Sequence, residues 1–98
     1  MVNLLKTDTF DKWFRVLRDA RAKVRIDERI DRLANGNPGD VKPVGSGVSE
    51  LRIDYGPGYR VYYVQRGKLL IILLCGGDKA SQRRDIAKAI ELAEGIKP

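Results

Sequence analysis

The chain has 98 residues, 43% hydrophobic and 33% charged, with a formal net charge of +6, a balance that suits a folded water-soluble domain and excludes a disordered tail. Its only long apolar run, from Leu69 to Cys75, is far short of the roughly 20 residues needed to cross a bilayer. No histidine is present and Cys75 is the sole cysteine, which excludes ordinary zinc sites, Ser-His-Asp and Cys-His nucleophiles, imidazole acid–base chemistry and any intrachain disulfide. Asp8, Asp11 and Lys12 stand where a secretory signal would be apolar. One cytoplasmic domain over residues 1–98 is therefore expected, with no metal and no cofactor.

Residues from Met1 to Lys6 are too few to classify alone and read as a short strand or a lead-in. Asp8 or Thr9 is placed to cap a helix whose apolar residues Phe10, Trp13, Phe14 and Leu17 recur at steps of three and four. A second helical pattern follows through Val24, Ile26, Ile30, Leu33 and Ala34. It stops at Asn35-Gly36-Asn37-Pro38-Gly39, where Gly permits a left-handed exit and Pro blocks continuation. These two helices predict an N-terminal hairpin. From Asp40 to Gly47 the Gly and Pro content predicts a surface connection.

The period then changes to two. Leu51 and Ile53 alternate with Glu50 and Arg52, which predicts a strand over 48–54. Gly56-Pro57-Gly58 breaks it, and a second strand is predicted over 59–65, with Arg60, Tyr62 and Val64 on the face opposite Val61 and Tyr63. Arg66-Gly67 has the form of a two-residue hairpin turn. Residues 68–75, apolar at every position after Lys68, predict a strand covered on both faces, ended by Gly76-Gly77-Asp78. A last helix is predicted over 81–94 from Ile86, Ala89, Ile90 and Ala93, with Ser81 as its cap. The predicted order is helix, helix, three-stranded meander, helix.

The charge is uneven. Residues 42–84 hold eight basic and three acidic side chains, a net +5, against +2 for residues 1–41 and −1 for residues 85–98. Parity puts Arg52 and Arg60 on the polar faces of neighbouring strands, where antiparallel pairing brings like charges together. Two readings of that pair stay open: an anion arrives there, or Glu50 and Asp54 neutralise it as ordinary cross-strand partners. Arg18, Arg21, Arg25, Arg29 and Arg32 form a second basic ridge along the second helix, interleaved with Asp27, Glu28 and Asp31. Such a mixed face is ordinarily just solvated; its other use is to receive an acidic partner. Gly76-Gly77-Asp78-Lys79 suits an anion, as a glycine turn before a helix, although paired glycines also simply turn chains.

The run Glu50-Leu51-Arg52-Ile53-Asp54, then Gly56-Pro57-Gly58-Tyr59-Arg60-Val61-Tyr62-Tyr63, then Leu73-Leu74-Cys75-Gly76-Gly77-Asp78-Lys79, with Gln82 and Asp85-Ile86, resembles the RelE/ParE superfamily of toxins. More narrowly it resembles the HigB-like addiction module killer branch, which Arg25-Ile26-Asp27, Arg29-Ile30-Asp31-Arg32-Leu33 and Gly36-Asn37 also match. The resemblance implies an α+β, RelE-like fold: an N-terminal helical hairpin packed on a small antiparallel sheet, with a C-terminal helix. It implies the toxin of a type II toxin–antitoxin module. RelE-like members cleave messenger RNA in the ribosome without a metal, whereas ParE-like members of the same fold inhibit DNA gyrase, so fold alone leaves both activities open.

By resemblance, Arg60 matches the strand arginine that contacts the scissile phosphate, with Arg52 and Lys79 as further basic groups. Arg52 or Arg84 would assist Arg60, Lys79 would protonate the 5′-oxygen, and Glu50 is a candidate base. Lys42, Arg83 and Arg84 complete the surface expected to bind RNA. Many nucleolytic relatives have a Tyr or His near the C-terminus, and this chain has neither after Tyr63. The implied partner is a cognate antitoxin, a small helix-turn-helix protein, for which Arg21, Arg25, Arg29 and Arg32 are the expected contacts.

Overall fold

A computed structural model describes residues 2–96 of the chain. Its elements in order are β1 (Asn3–Lys6), α1 (Asp8–Val16), α2 (Ala20–Ala34), β2 (Val41–Gly45), β3 (Val48–Arg52), β4 (Arg60–Arg66), β5 (Leu70–Gly77) and α3 (Gln82–Gly95). The α+β class is as expected. The sheet is larger than the predicted meander and is not wholly antiparallel: five strands run in the order β1-β5-β4-β3-β2, with β1 parallel to β5 and the other pairs antiparallel.

Both added strands are short edges that leave little local signal. The N-terminal segment is the strand β1, Met1 lying outside the described residues, and it lies along β5 with Leu4 beside Ile71. Residues 40–47 are not a surface connection. Val41–Gly45 is β2, joined to β3 by a turn in which Ser46 and Gly47 both have positive φ, 54° and 79°, the backbone that closes two-residue hairpins. Pro43 is tolerated because an edge strand has one side with no ladder bond to make, and the register shifts between Pro43 and Gly45.

The turn between β4 and β5 also differs. It takes in Gly67, Lys68 and Leu69, so Leu69 is 63% exposed and β5 starts two residues later than predicted, at Leu70.

The two helix layers sit on opposite faces of the sheet. On one face Phe10 of α1 and Ile26, Ile30 and Leu33 of α2 pack on Leu51, Val61, Tyr63 and Leu73. Val24 is not part of that core; Ala22 takes the inward position and Val24 is 55% exposed. On the other face Ala89 and Ala93 of α3 pack on Val48, Tyr62, Val64, Ile72 and Leu74. Burying each large aliphatic side chain here is worth about 1.5–3 kcal/mol.

Helix α1 is capped by Thr7 rather than by Asp8 or Thr9. The Thr7 hydroxyl accepts from the Phe10 amide at 3.0 Å and donates to the Leu74 carbonyl, which fastens the helix start to β5. Ser81 does occupy the cap position of α3, but its side chain makes no cap bond and turns instead to Asp78 and Asp85.

Gly76 and Gly77 do not form a turn. They are strand residues, paired with Val61 and Arg60. A side chain on Gly76 would collide with the Trp13 ring, and one on Gly77 with the Asp85 carboxylate. The glycines are there because helices press on the strand backbone from both faces, not to cradle an anion.

Candidate functional site

The candidate cluster is assembled by the β3–β4 pairing. Register sets Arg52 opposite Arg60 and Glu50 opposite Tyr62. Side chains alternate along a strand, so these four lie on one face while Leu51 and Val61 enter the core beneath α1 and α2. That is the face α3 covers, and Gln82 in the first turn of α3 reaches down to the cluster.

Glu50 is the centre. It is fully buried, and its carboxylate accepts hydrogen bonds from Arg52 Nε at 3.0 Å, Tyr62 Oη at 3.0 Å and Gln82 Nε2 at 2.9 Å. Arg60 Nε stands 3.5 Å from Glu50 Oε2, a charge contact rather than a hydrogen bond, and makes no other. Burial alone would raise the pKa of this carboxyl, but the bonds from Gln82, Arg52 and Tyr62, with the Arg60 charge, outweigh it and hold Glu50 below the ordinary carboxylate value. Burial raises the Tyr62 phenol, and its bond to Glu50 adds to the effect, so it stays protonated. Glu50 also raises the pKa of Arg52.

Two guanidiniums facing each other repel. Among the described residues, Glu50 is the only carboxylate within ion-pair distance of either, so the group keeps one net positive charge. Of the two readings left open, Glu50 is indeed a partner, but one carboxylate serves two arginines and Asp54 serves neither.

The loop over 53–59 forms the wall beside the pair. Arg60 is 12% exposed and held by its Nη1, which donates to the Gly58 carbonyl at 2.9 Å; Arg52 is 34% exposed. Gly58 has φ 78°, and a Cβ there would come within 3.5 Å of both Arg60 Nη1 and Lys79 Cβ. The Lys79 amide donates to the Pro57 carbonyl at 3.3 Å, so the start of the last helix is pinned to this loop. A cleft of about 320 Å³ opens here, lined by Arg52, Asp54, Tyr55, Tyr59 and Arg60 among others. Tyr59 is steadied edge-on by Trp13 at 6.3 Å. Tyr55 donates to Asp19 Oδ2 at 2.9 Å and so ties the loop to the cap of α2.

Arg60, Arg52 and Glu50 are thus brought together from two strands, and Lys79 is placed next to the loop beside them by its amide and Cβ. Lys42 lies opposite Glu50 on β2, at the exposed edge. Arg83 and Arg84 are elsewhere, beside a concavity on the first turn of α3, and Arg84 is 83% exposed at 4.0 Å from Asp85. Of the two arginines considered as helpers of Arg60, it is Arg52 that faces it.

The α2 ridge divides by role. Arg29 donates to the carbonyls of Pro38 at 2.6 Å, Asp40 at 3.2 Å and Arg52 at 3.1 Å, stitching the helix to the ends of β2 and β3. Partial burial, then the like charge of Arg32, lowers its pKa. Arg25 lies 5.6 Å over the Tyr55 ring, while Arg21 and Arg32 are exposed. Asp27, Glu28 and Asp31 do not neutralise them: among the described residues no ion pair involves α2.

Sequence reasoning did not assign a role to Tyr62, Gln82, Tyr55 or Tyr59. For Tyr62 the signal existed, since once Arg52 faces Arg60 the antiparallel register forces Glu50 opposite Tyr62. Gln82 has no local signal, because only the packing of α3 brings it to Glu50.

An α+β protein with a cross-strand arginine pair, undercompensated by one buried carboxylate and open to a cleft, has the chemistry of an anion receptor. Residues 12–96 match the family described as Phage derived protein Gp49-like. A protein of Haemophilus influenzae described as uncharacterized is 50% identical over 95 residues, which span 97% of this chain and 96% of that protein. The chain belongs to the Gp49-like family, a family of addiction-module toxins. Among the described residues no helix is long and apolar enough to cross a membrane.

Proposed function

We propose that this toxin is a ribosome-dependent endoribonuclease of the cytoplasm that cleaves messenger RNA without a metal. The observation that carries the reading is the Arg52–Arg60 pair, held face to face with only Glu50 between them. A ribose 2′-hydroxyl gives up its proton to water as its oxygen attacks the adjacent phosphorus, the bond to the 5′-oxygen breaks, and the products are a 2′,3′-cyclic phosphate and a free 5′-hydroxyl. Arg60 and Arg52 stabilise the charge that builds on the phosphoryl oxygens. Lys79, beside Arg60 across Gly58, donates the proton to the leaving 5′-oxygen. Glu50 serves as the positioning group rather than the base, since its buried carboxylate is already committed to three donors and is weakly basic. Catalysis then rests on charge stabilisation and positioning, with one well-placed donor worth about 10²–10³ in rate. Lys42 extends the basic surface, and Arg83 and Arg84 meet RNA outside the cleft.

Cleavage of messenger on purified ribosomes by the wild type and Arg60→Ala tests this. A loss of about 10²–10³ in rate is expected, and equal rates would remove Arg60 from the chemistry. The commitment of Glu50, together with the lack of Tyr or His in α3, favours a second reading: a non-catalytic inhibitor of DNA gyrase. Primer extension on transcripts after induction separates the two, since the second reading leaves messengers intact. The partner is an antitoxin of the helix-turn-helix kind, with an acidic segment drawn to the start of α2, where Arg21 flanks an exposed notch at Ala20 and Val24.

A further inference from the structure

The cleft at Arg60 does not end at the loop. A second cavity, of about 360 Å³, lies along the side of α2 and includes Arg25 and Arg32 in its lining. The two cavities have Asp40, Arg52, Ile53 and Asp54 in common, so they are two stretches of one groove. Their junction is bridged by a stacked pair, for Tyr55 lines the first and Arg25, 5.6 Å over its ring, lines the second. Arg29 forms the seam beneath. Its bonds go to three backbone carbonyls, which fix its position and leave its full charge in place.

We infer that this groove is a single track for an RNA strand, in which Arg25 and Arg32 form a second phosphate subsite for nucleotides beyond the one held at Arg52 and Arg60. The inference rests on the nuclease reading for its choice of polyanion. Three features favour a strand over a protein segment here. The track is continuous with the arginine pair, its ridge arginines have no ion-pair partner among the described residues, and a half-buried aromatic ring, Tyr55, stands at its midpoint, the kind of surface on which unpaired bases stack. The carboxylates of Glu28, Asp40 and Asp54 also line it and set the limit on its affinity at low charge density.

The test uses the full chain and fluorescent, uncleavable 2′-O-methyl oligoribonucleotides of three and twelve nucleotides, titrated at several salt concentrations. Each phosphate contact on a single strand contributes about 0.7 to the slope of log K against log salt. The double variant Arg25→Gln/Arg32→Gln should therefore lower the slope for the twelve-mer by about 1.4, while binding of the three-mer stays as in the wild type. Arg29 is left in place because its loss would disturb the fold. An unchanged twelve-mer slope in the double variant, or a wild type that binds both lengths with the same slope, would overturn the track. Loss of antitoxin co-purification with an unchanged twelve-mer slope would assign the ridge to the protein partner instead. A messenger-cleavage assay on the wild type separates this idea from the nuclease reading: full twelve-mer binding with no cleavage would sink that reading, while a slope still sensitive to Arg25 and Arg32 would keep the groove as a polyanion site.

Discussion

Replacing Glu50 by Gln removes the charge at the centre of the site while keeping its size. Glu50 Oε1 receives Arg52, and Oε2 receives Tyr62 and Gln82 with Arg60 at 3.5 Å. Glutamine can offer oxygen to one side only. The better choice keeps Tyr62 and Gln82 and turns its NH₂ toward Arg52 Nε, so donor faces donor. Breaking a buried ion pair costs about 3–5 kcal/mol. Arg52 is one-third exposed and regains water, so the lower figure, about 3 kcal/mol, applies. In a domain of this size each kcal/mol moves Tm by about 4–8 °C, so a fall of roughly 12–24 °C is expected.

Denaturant unfolding across pH makes the assay specific. A carboxyl whose folded pKa lies below its unfolded value stabilises the fold above about pH 4.3. That contribution fades as pH falls below this value toward the folded pKa. The gap between wild type and Glu50→Gln should therefore be full at pH 7 and shrink as pH falls from about 4.3 through the lowered folded pKa, at which Glu50 itself becomes neutral. A cost under about 1 kcal/mol at pH 7, or a gap that does not change with pH, would refute the account of Glu50 as the charge that holds the arginine pair together.

Three further outcomes follow from the packing and charge around this site. Gly76→Ala should cost about 1–3 kcal/mol by overpacking and shift the emission of Trp13, the only tryptophan, because the new methyl displaces its ring; an unshifted spectrum would mean the ring is not against this strand. Burial pushes the Cys75 thiol up to about 12 and also raises Tyr62. Folding therefore holds protons that the unfolded chain releases, and stability should fall as pH rises from about 9 to 12, with a shallower slope in Cys75→Ala measured by urea unfolding. Arg29→Ala should lose about 1.5–3 kcal/mol by stranding three carbonyls, whereas Arg25→Ala should change stability by less than about 0.5 kcal/mol; equal losses in the same unfolding assay would contradict the division of the ridge.

Periodicity and parity were enough to establish much of this protein from its residues alone. Helical spacing located all three helices, because an apolar stripe at steps of three and four must be buried wherever the helix packs. Alternation put Arg52 and Arg60 on the polar faces of adjacent strands, because a strand has only two faces. The edges were not legible: β1 is four residues long, and β2 carries Pro43 and a bulge, so each owes its strand conformation to a neighbour rather than to its own composition. Glycines 76 and 77 look like a turn in the sequence because it does not reveal that Trp13 and Asp85 occupy the space above them. The site divides in the same way. Its arginines could be found from local pattern, but the state of Glu50 could not. A carboxylate is a base, a solvated surface group or a buried clamp according to what surrounds it, and here the surroundings come from Tyr62 on the next strand and Gln82, 32 residues away along the chain. Only the packing of α3 across the sheet brings that amide to it, shuts out water, and turns two opposed positive charges into a stable pair.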